Sequence, residues 1–257
     1  MKLSIVMPAR NEEGCITQTL QRFAEVLSAN VGDFEIVVVD DGSTDATADR
    51  VRAFSARHPE VVAVTNTGRH GFGMAIRYGL TRITGDAVAI VMADGSDSPE
   101  DLLKYYLKLL EGYDCVFGSR FIAGGSVVDY PRHKLLLNRM ANAFIRILFG
   151  LSFNDITNAF KCYRREVIAG IQPLISPHFN LTVEMPLKAV VRGYSFAVVP
   201  ITWTNRAAGV SKLKIKEMGS RYLFIVLYLW LEKHLARGDY HRTVAVHAEE
   251  KAPKINA

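Results

Sequence analysis

The feature that most limits how this chain folds is an alternation of two hydrophobic periods over its first 118 residues. Short β-branched runs occupy residues 3–7, 34–39, 61–64, 87–92 and 115–117. Stretches at helical spacing follow the first four, at 13–29, 46–57, 73–81 and 99–110. Strand then helix, repeated, predicts a mostly parallel sheet with helices on both faces, an α/β fold. The strands are almost wholly apolar, as strands buried on both faces must be. Such sheets bind ligands beyond the carboxyl ends of their strands. The polar residues just after each strand are therefore the first functional candidates.

After Gly118 the alternation stops. Residues 119–132 predict a loop, 133–149 a helix, and 153–158 a turn-rich segment. A helix over 181–192 and a strand over 195–199 follow. A polar loop over 202–209 leads into a long helix over 211–235, and the tail 239–257 is expected to be flexible.

Composition narrows the class. Of 257 residues, 49% are apolar and 22% charged, which suits a soluble globule and excludes a disordered, collagen-like or polytopic membrane chain. Cys15, Cys115 and Cys162 are odd in number and far apart. That excludes a disulfide scaffold and a Cys-x-x-Cys zinc site, and points to a reducing compartment, the cytosol. The net charge of +5 gives a mild preference for anionic partners. No signal peptide is expected, because a strand-like run follows Met1-Lys2 at once. The longest apolar run, 222–231, is about half of the ~20 residues that cross a bilayer. No transmembrane helix is predicted.

Two strand ends carry more acid than folding requires. The first strand runs into Met7-Pro8-Ala9-Arg10-Asn11-Glu12-Glu13, and the second into Val39-Asp40-Asp41-Gly42-Ser43-Thr44-Asp45. Ser43 to Asp45 suit a turn and a helix cap. Asp40 and Asp41 repel each other and capping does not need them. Acids so placed bind ribose hydroxyls, base N–H groups or a metal. The fourth strand runs into Met92-Ala93-Asp94-Gly95-Ser96-Asp97-Ser98-Pro99. Pro99 suits the first helical position, with Asp97 or Ser98 as its cap. Asp94 lies earlier, at the strand tip. A carboxylate beside a helix N-terminus suits a hard cation carried by a diphosphate.

These segments, together with the Arg69-His70-Gly71-Phe72-Gly73 turn and Arg77, resemble the inverting family 2 glycosyltransferases of GT-A (Rossmann-like) fold. Gly118-Ser119-Arg120-Phe121, Asn154-Asp155-Ile156-Thr157-Asn158-Ala159-Phe160-Lys161 and Arg206-Ala207-Ala208-Gly209-Val210-Ser211-Lys212 sharpen the likeness toward the dolichyl- and polyprenyl-phosphate sugar transferases, the dolichol-phosphate mannosyltransferases among them. Seven segments in the family's order, over residues 2–215, carry the resemblance.

The resemblance implies a GT-A domain over 1–210, an amphipathic interfacial helix over 211–238 and a tail. It implies transfer of a sugar from a GDP- or UDP-sugar to a polyprenyl monophosphate. Pro8, Asn11, Glu12, Asp40, Asp41 and Gly71 would hold the donor nucleoside. Asp94 would bind Mg²⁺ or Mn²⁺ on the diphosphate. Arg120 and Arg132 would hold the acceptor phosphate, and Asp155 would line the sugar site. Glu184 would sit on a helix facing the same cleft. Arg206, Ser211 and Lys212 would close over the donor phosphates. One departure stands out. The family has Asp-x-Asp at the metal site, and here Met92 occupies the first position. A thioether is a poor ligand for Mg²⁺, so Asp97 is the candidate replacement.

Charge then constrains the chemistry. A phosphate monoester has a second pKa of about 6, so as acceptor it is largely ionised at pH 7 and needs no base. A hydroxyl acceptor needs a carboxylate base, with Asp155 or Glu184 as candidates. Helices 133–149 and 211–231 combine apolar bulk with basic flanks, the pattern of helices that lie in a membrane interface. A peripheral protein on the cytoplasmic face of a membrane is expected, with a small membrane-protein partner or a second copy as companions. Two alternatives remain at this level. One is a soluble glycosyltransferase with a saccharide or small-molecule acceptor; the other is a nucleotide-sugar-binding protein without catalysis. Nucleic acid is disfavoured, because the basic residues flank apolar helices and form no aromatic-interleaved stripe.

Overall fold

The computed structural model describes residues 1–205 and 215–242, except for the side chains of residues 215–218. Four strand–helix steps and a fifth strand open the chain: β1 (Leu3–Ala9), α1 (Ile16–Asn30), β2 (Phe34–Asp40), α2 (Thr47–Ser55), β3 (Val61–Thr65), α3 (Phe72–Leu80), β4 (Ala87–Ile90), α4 (Pro99–Leu110) and β5 (Cys115–Ser119). Then come β6 (Ser126–Val128), α5 (Arg132–Phe149), β7 (Lys161–Arg164), α6 (Arg165–Gly170), α7 (Leu181–Val191), β8 (Phe196–Pro200), β9 (Thr202–Thr204) and α8 (Ile215–Leu235).

Among the described residues, seven strands form one sheet in the order β3-β2-β1-β4-β7-β5-β8. All pairs are parallel except those of β7, which runs antiparallel between β4 and β5. Side chains along a strand alternate between the two faces, and two apolar layers follow. Val6, Val37, Val39, Val88 and Ile90 pack with the buried residues of α3, α5, α6, α7 and α8. Ile5, Met7, Ile36, Val38 and Ala89 pack with those of α1, α2 and α4. Each fully buried Val, Leu or Ile contributes roughly 1.5–3 kcal/mol.

The strand expected over 87–92 stops at Ile90. Val91 makes one more ladder bond, to Val6 O at 3.1 Å. Met92 then turns its amide to Asp97, so Asp94 lies in a turn beyond the strand and not at its tip. The cap of α4 is Ser98, whose hydroxyl accepts from the Asp101 amide at 3.3 Å. Strand β7 and the β6–β9 ribbon fall in segments that showed no apolar run. β7 has Lys161 and Arg164 at its ends, and β9 lies in the expected polar loop.

Helix α8 is apolar almost all round over residues 222–231. Ile225, Val226 and Leu229 are buried in the core, while Leu223, Phe224, Leu227, Tyr228 and Leu231 are exposed. It is tied to α7 by a buried ion pair, Arg192 Nε to Glu232 Oε1 at 2.8 Å. Lys233 Nζ donates to the Phe149 carbonyl at the end of α5, at 2.6 Å. On α5, Leu136, Leu137, Met140, Phe144 and Ile147 are exposed. No helix of the described residues is long and apolar enough to cross a membrane.

Candidate active site

The parallel strands deliver their carboxyl ends to one edge of the sheet, and β7 brings its amino end there. Following the strand order, this edge carries Asn66 after β3, Asp40 at the end of β2 and Asp41 just after it, Asn11 after β1, Asp94 after β4, the turn before Lys161, and Arg120 after β5.

The β2 end is held by backbone. Asp41 is buried; Oδ1 accepts from Asn66 Nδ2 at 2.7 Å and Oδ2 from the Gly71 amide at 2.8 Å. His70 Nδ1 stands 3.2 Å from Oδ1. Gly71 has φ +141°, and a Cβ there would come within 2.6 Å of the Pro177 carbonyl, so glycine alone brings this amide to Asp41. The Ser43 amide donates to Asp40 Oδ1 at 3.3 Å. Asn11, at φ +51°, accepts from the Thr44 amide at 2.8 Å and donates its own amide to Ser43 Oγ at 3.0 Å. The Glu12 amide donates to Thr47 Oγ1 at 2.8 Å. Half-buried Pro8 lies in β1 opposite Val39. The loops after β1 and β2 are thus laced together.

The centre is acidic. Asp94 is buried and accepts from the Ser96 amide at 3.1 Å. Asp97 is buried too, and its Oδ2 accepts from the Met92 amide at 2.9 Å. Burial, then the charges of Asp94 and Asp101, push the Asp97 carboxyl up to about 7 against the Met92 amide and Arg120. Asp101 accepts from the Thr202 amide at 2.8 Å and pairs with Lys104 at 2.6 Å. No three His, Cys, Asp or Glu side chains converge as a metal cluster among the described residues. Asp94 supplies hard oxygen and Met92 none. Asp97 directs an oxygen back to its own loop and holds its proton near neutrality. This donor set fits a cation that arrives with oxygen ligands of its own.

The β5 end is a buried ion pair. Arg120 Nε and Nη2 donate to Asp155 Oδ2 and Oδ1 at 2.8 and 2.7 Å, and the Arg120 amide adds a bond to Oδ2 at 3.0 Å. Burial works against the guanidinium charge, and Asp155 outweighs it, raising the pKa further. The rings of Phe121, Tyr130 and Trp203 lie 5.2, 5.8 and 5.9 Å from the guanidinium carbon. Ribbon β6–β9 sets Tyr130 and Trp203 edge to face at 4.9 Å. The turn carrying Asp155 is pinned by Lys161, whose ammonium donates to the carbonyls of Ile156, at 3.0 Å, and Asn158. Burial lowers the Lys161 pKa to about 7, with Asp155 opposing.

Two expectations for carboxylates are corrected. Asp155 was expected to line the sugar site; it is fully buried with both oxygens on Arg120. Glu184 was expected to face the cleft. It is fully buried, accepts from the Ile175 and Ser176 amides at 2.8 and 2.7 Å, and pairs with Lys188 at 2.8 Å. Arg132 is exposed at the start of α5. Arg206, Ser211 and Lys212 lie outside the described residues. Asn66, Tyr130 and Trp203 were not singled out for the site by sequence reasoning, and His70 was marked within the Arg69–Gly73 turn without a role. The Asn154–Lys161 segment did mark Lys161, without a role.

The strand-end edge thus carries acids at the β2 end and at the centre, and a held arginine at the β5 end. The family profile of glycosyl transferase family 2 matches residues 4–171, and the chain belongs to that family. It is 37% identical over 186 residues to a polyprenol monophosphomannose synthase of Mycolicibacterium smegmatis, covering 69% of each chain. It is 31% identical over 220 residues to an undecaprenyl-phosphate mannosyltransferase of Micrococcus luteus, covering 83% of this chain and 88% of the relative. A dolichol-phosphate mannosyltransferase of Pyrococcus furiosus is also 31% identical, over 84% of this chain and 60% of its own length. Among solved structures, glucosyl-3-phosphoglycerate synthase from Mycobacterium tuberculosis with Mn²⁺, UDP-glucose and phosphoglyceric acid superposes with a TM-score of 0.67 at 21% identity, covering 90% of this chain and 79% of that one. That likeness concerns the fold, a mostly parallel GT-A sheet.

Proposed function

We propose that this glycosyltransferase moves one sugar from a nucleotide-sugar to a polyprenyl monophosphate, with inversion, at a membrane surface. One observation carries the choice of acceptor. Asp155 and Glu184, the two candidate bases for a hydroxyl acceptor, are fully buried with every oxygen engaged. A phosphate monoester ionises by itself near pH 7 and needs neither. The names of the relatives at 31–37% identity agree with this acceptor.

In this reading the nucleoside lies against Pro8, Asn11, Glu12, Asp40, Asp41 and Gly71. Asp94 would hold Mg²⁺ or Mn²⁺, which would supply positive charge at the donor diphosphate. Arg206, Ser211 and Lys212 belong to the same donor side. Arg120 keeps three N–H donors beyond those given to Asp155. With Arg132 at the mouth, it holds the acceptor phosphate in line with the anomeric carbon. Exposed Leu136, Met140 and Ile147 on α5, and Phe224, Leu227 and Leu231 on α8, enter the cytoplasmic leaflet beside the isoprenoid chain.

The test is product analysis. Purified protein is incubated with GDP- and UDP-sugars, Mn²⁺ and undecaprenyl or dolichyl monophosphate. An acid-labile glycosyl phosphate of inverted configuration supports the reading. A stable glycoside formed on free saccharides, with nothing on lipid phosphate, replaces it with the hydroxyl-acceptor reading. Full activity in excess EDTA rejects the metal role of Asp94.

A further inference from the structure

Starting at Asn66 on the substrate edge, a cavity of about 630 Å³ runs between α3 and α6. Its apolar wall includes Met74, Tyr78, Ile168 and Leu174, and its charged groups are Arg69, Arg77 and Arg165. Among the described residues no carboxylate lines it. Arg77 Nη1 meets only the Met74 sulfur, at 3.7 Å, and Arg165 Nη2 donates to the Ile83 carbonyl at 2.7 Å. Among the described residues neither guanidinium pairs with an acid. Nearby, Arg82 stacks on the Tyr78 ring at 5.0 Å and donates to its hydroxyl at 3.0 Å, which adds a fourth positive charge.

Three uncompensated guanidinium groups around one cavity repel each other, and an anion relieves that repulsion. Arginine forks suit phosphate oxygens. The arginines come from three places, Arg69 before α3, Arg77 on α3 and Arg165 at the start of α6. The intervening wall is apolar, so a bare phosphate leaves most of the cavity unfilled. An organic phosphate, with an aromatic or acyl body against Met74 and Ile168, fills both parts.

We infer that the α3–α6 cavity is a second ligand site, adjoining the substrate edge at Asn66, that binds a phosphate ester with an apolar body. The cavity has a route to the edge. Asn66 lines it and donates both to Asp41 Oδ1 at 2.7 Å and to the Arg69 carbonyl at 2.9 Å. A ligand that draws Arg69 inward therefore acts on the loop that seats Asp41, and occupancy of the cavity tunes donor affinity.

The ¹³C-methyl signals of the methionines test this, because Met74 lines the cavity and Met92 neighbours Asp94 at the edge. The probe is 1-naphthyl phosphate, which has no nucleoside. The expected result is a saturable shift of the Met74 methyl, with Met92 unmoved, that weakens at least tenfold in Arg77→Gln/Arg165→Gln. Arg165 is exposed and Arg77 half-buried, and an unchanged spectrum of the other methionines shows that the variant keeps its fold. Phosphatidic acid vesicles that displace the probe identify a lipid headgroup as the source; displacement by soluble nucleotide alone identifies a free organic phosphate. Either supports the site. A shift at Met92 without Met74, or equal binding by the double variant, overturns it. The readout does not depend on turnover, so failure of the proposed reaction leaves it intact.

Discussion

The two ends of the substrate edge are built on opposite principles. At the β2 end, Asp41 is held by several groups of the loop between β3 and α3, with the Gly71 amide and the Asn66 side chain donating to it and His70 beside it. At the β5 end, Arg120 is held by one carboxylate 35 residues away, in a buried fork inside an aromatic collar. The first arrangement spreads its support over several bonds, any one of which is replaceable. The second concentrates it in a single partner. The two ends should therefore fail differently.

The sharpest break is Asp155→Ala. Leaving a buried guanidinium unpaired costs roughly 3–5 kcal/mol, so unfolding in urea should move by that amount and activity should collapse with it. Replacing both partners by apolar residues, Arg120→Met with Asp155→Leu, should recover most of the stability and none of the activity. Stability recovered with activity would remove Arg120 from the chemistry.

The next effect is a pH dependence from the centre of the edge. The folded Asp97 carboxyl titrates near 7, well above its ordinary 3.8, because burial disfavours its charge. A carboxyl raised in the fold adds stability that is complete below about pH 4 and lost as pH rises through 7. Asp97→Asn should therefore be more stable than the parent at pH 8, by on the order of 2–4 kcal/mol at ~1.4 kcal/mol per pKa unit. Near pH 4 the difference should vanish. Melting curves in EDTA across this range decide it; a constant difference would mean that Asp97 is ionised throughout.

A smaller effect separates the ends by substrate. Asp41→Ala removes a charged acceptor, a change of ~1.5–3 kcal/mol. It should raise the donor KM about tenfold or more with the acceptor KM unchanged. The smallest belongs to Arg132. Its alanine variant should raise the acceptor KM or lower kcat by ~10-fold, with stability within about 0.5 kcal/mol because the residue is exposed. Equal effects of these two variants on both substrates would dissolve the distinction between donor and acceptor ends.

The same contrast decides what could be read in the sequence. The parallel sheet was legible because β1, β2 and β4 are buried on both faces and so spell unbroken apolar runs. Asp40, Asp41 and Asp94 were legible because acids directly after such runs have no local structural task. Asp155 was found by resemblance, but its partner was not, because nothing local couples residue 120 to residue 155. β7 was missed for a related reason. Its first residue, Lys161, looks like solvated charge, yet its ammonium is buried under carbonyls. Trp203 and Tyr130 meet only through a three-residue ribbon whose strands are 76 residues apart in pairing, Ser126 with Thr202. Glu184 read as a cleft residue from its place on a helix, and only the packing of the 175–176 amides onto it shows otherwise.

The bonds that fasten α8 also fix a height. Arg192 clamps Glu232 from α7, and Lys233 grips the last carbonyl of α5, so the two apolar helices and the helix behind the sheet are joined at one corner. In the proposed reaction the bilayer meets the protein along those helices, and the clamp then works as a gauge: the headgroup rises to Arg120 by a set distance. Isoprene units beyond that distance remain in the bilayer and touch nothing. The enzyme should measure the first few units of its lipid and be indifferent to the length of the rest.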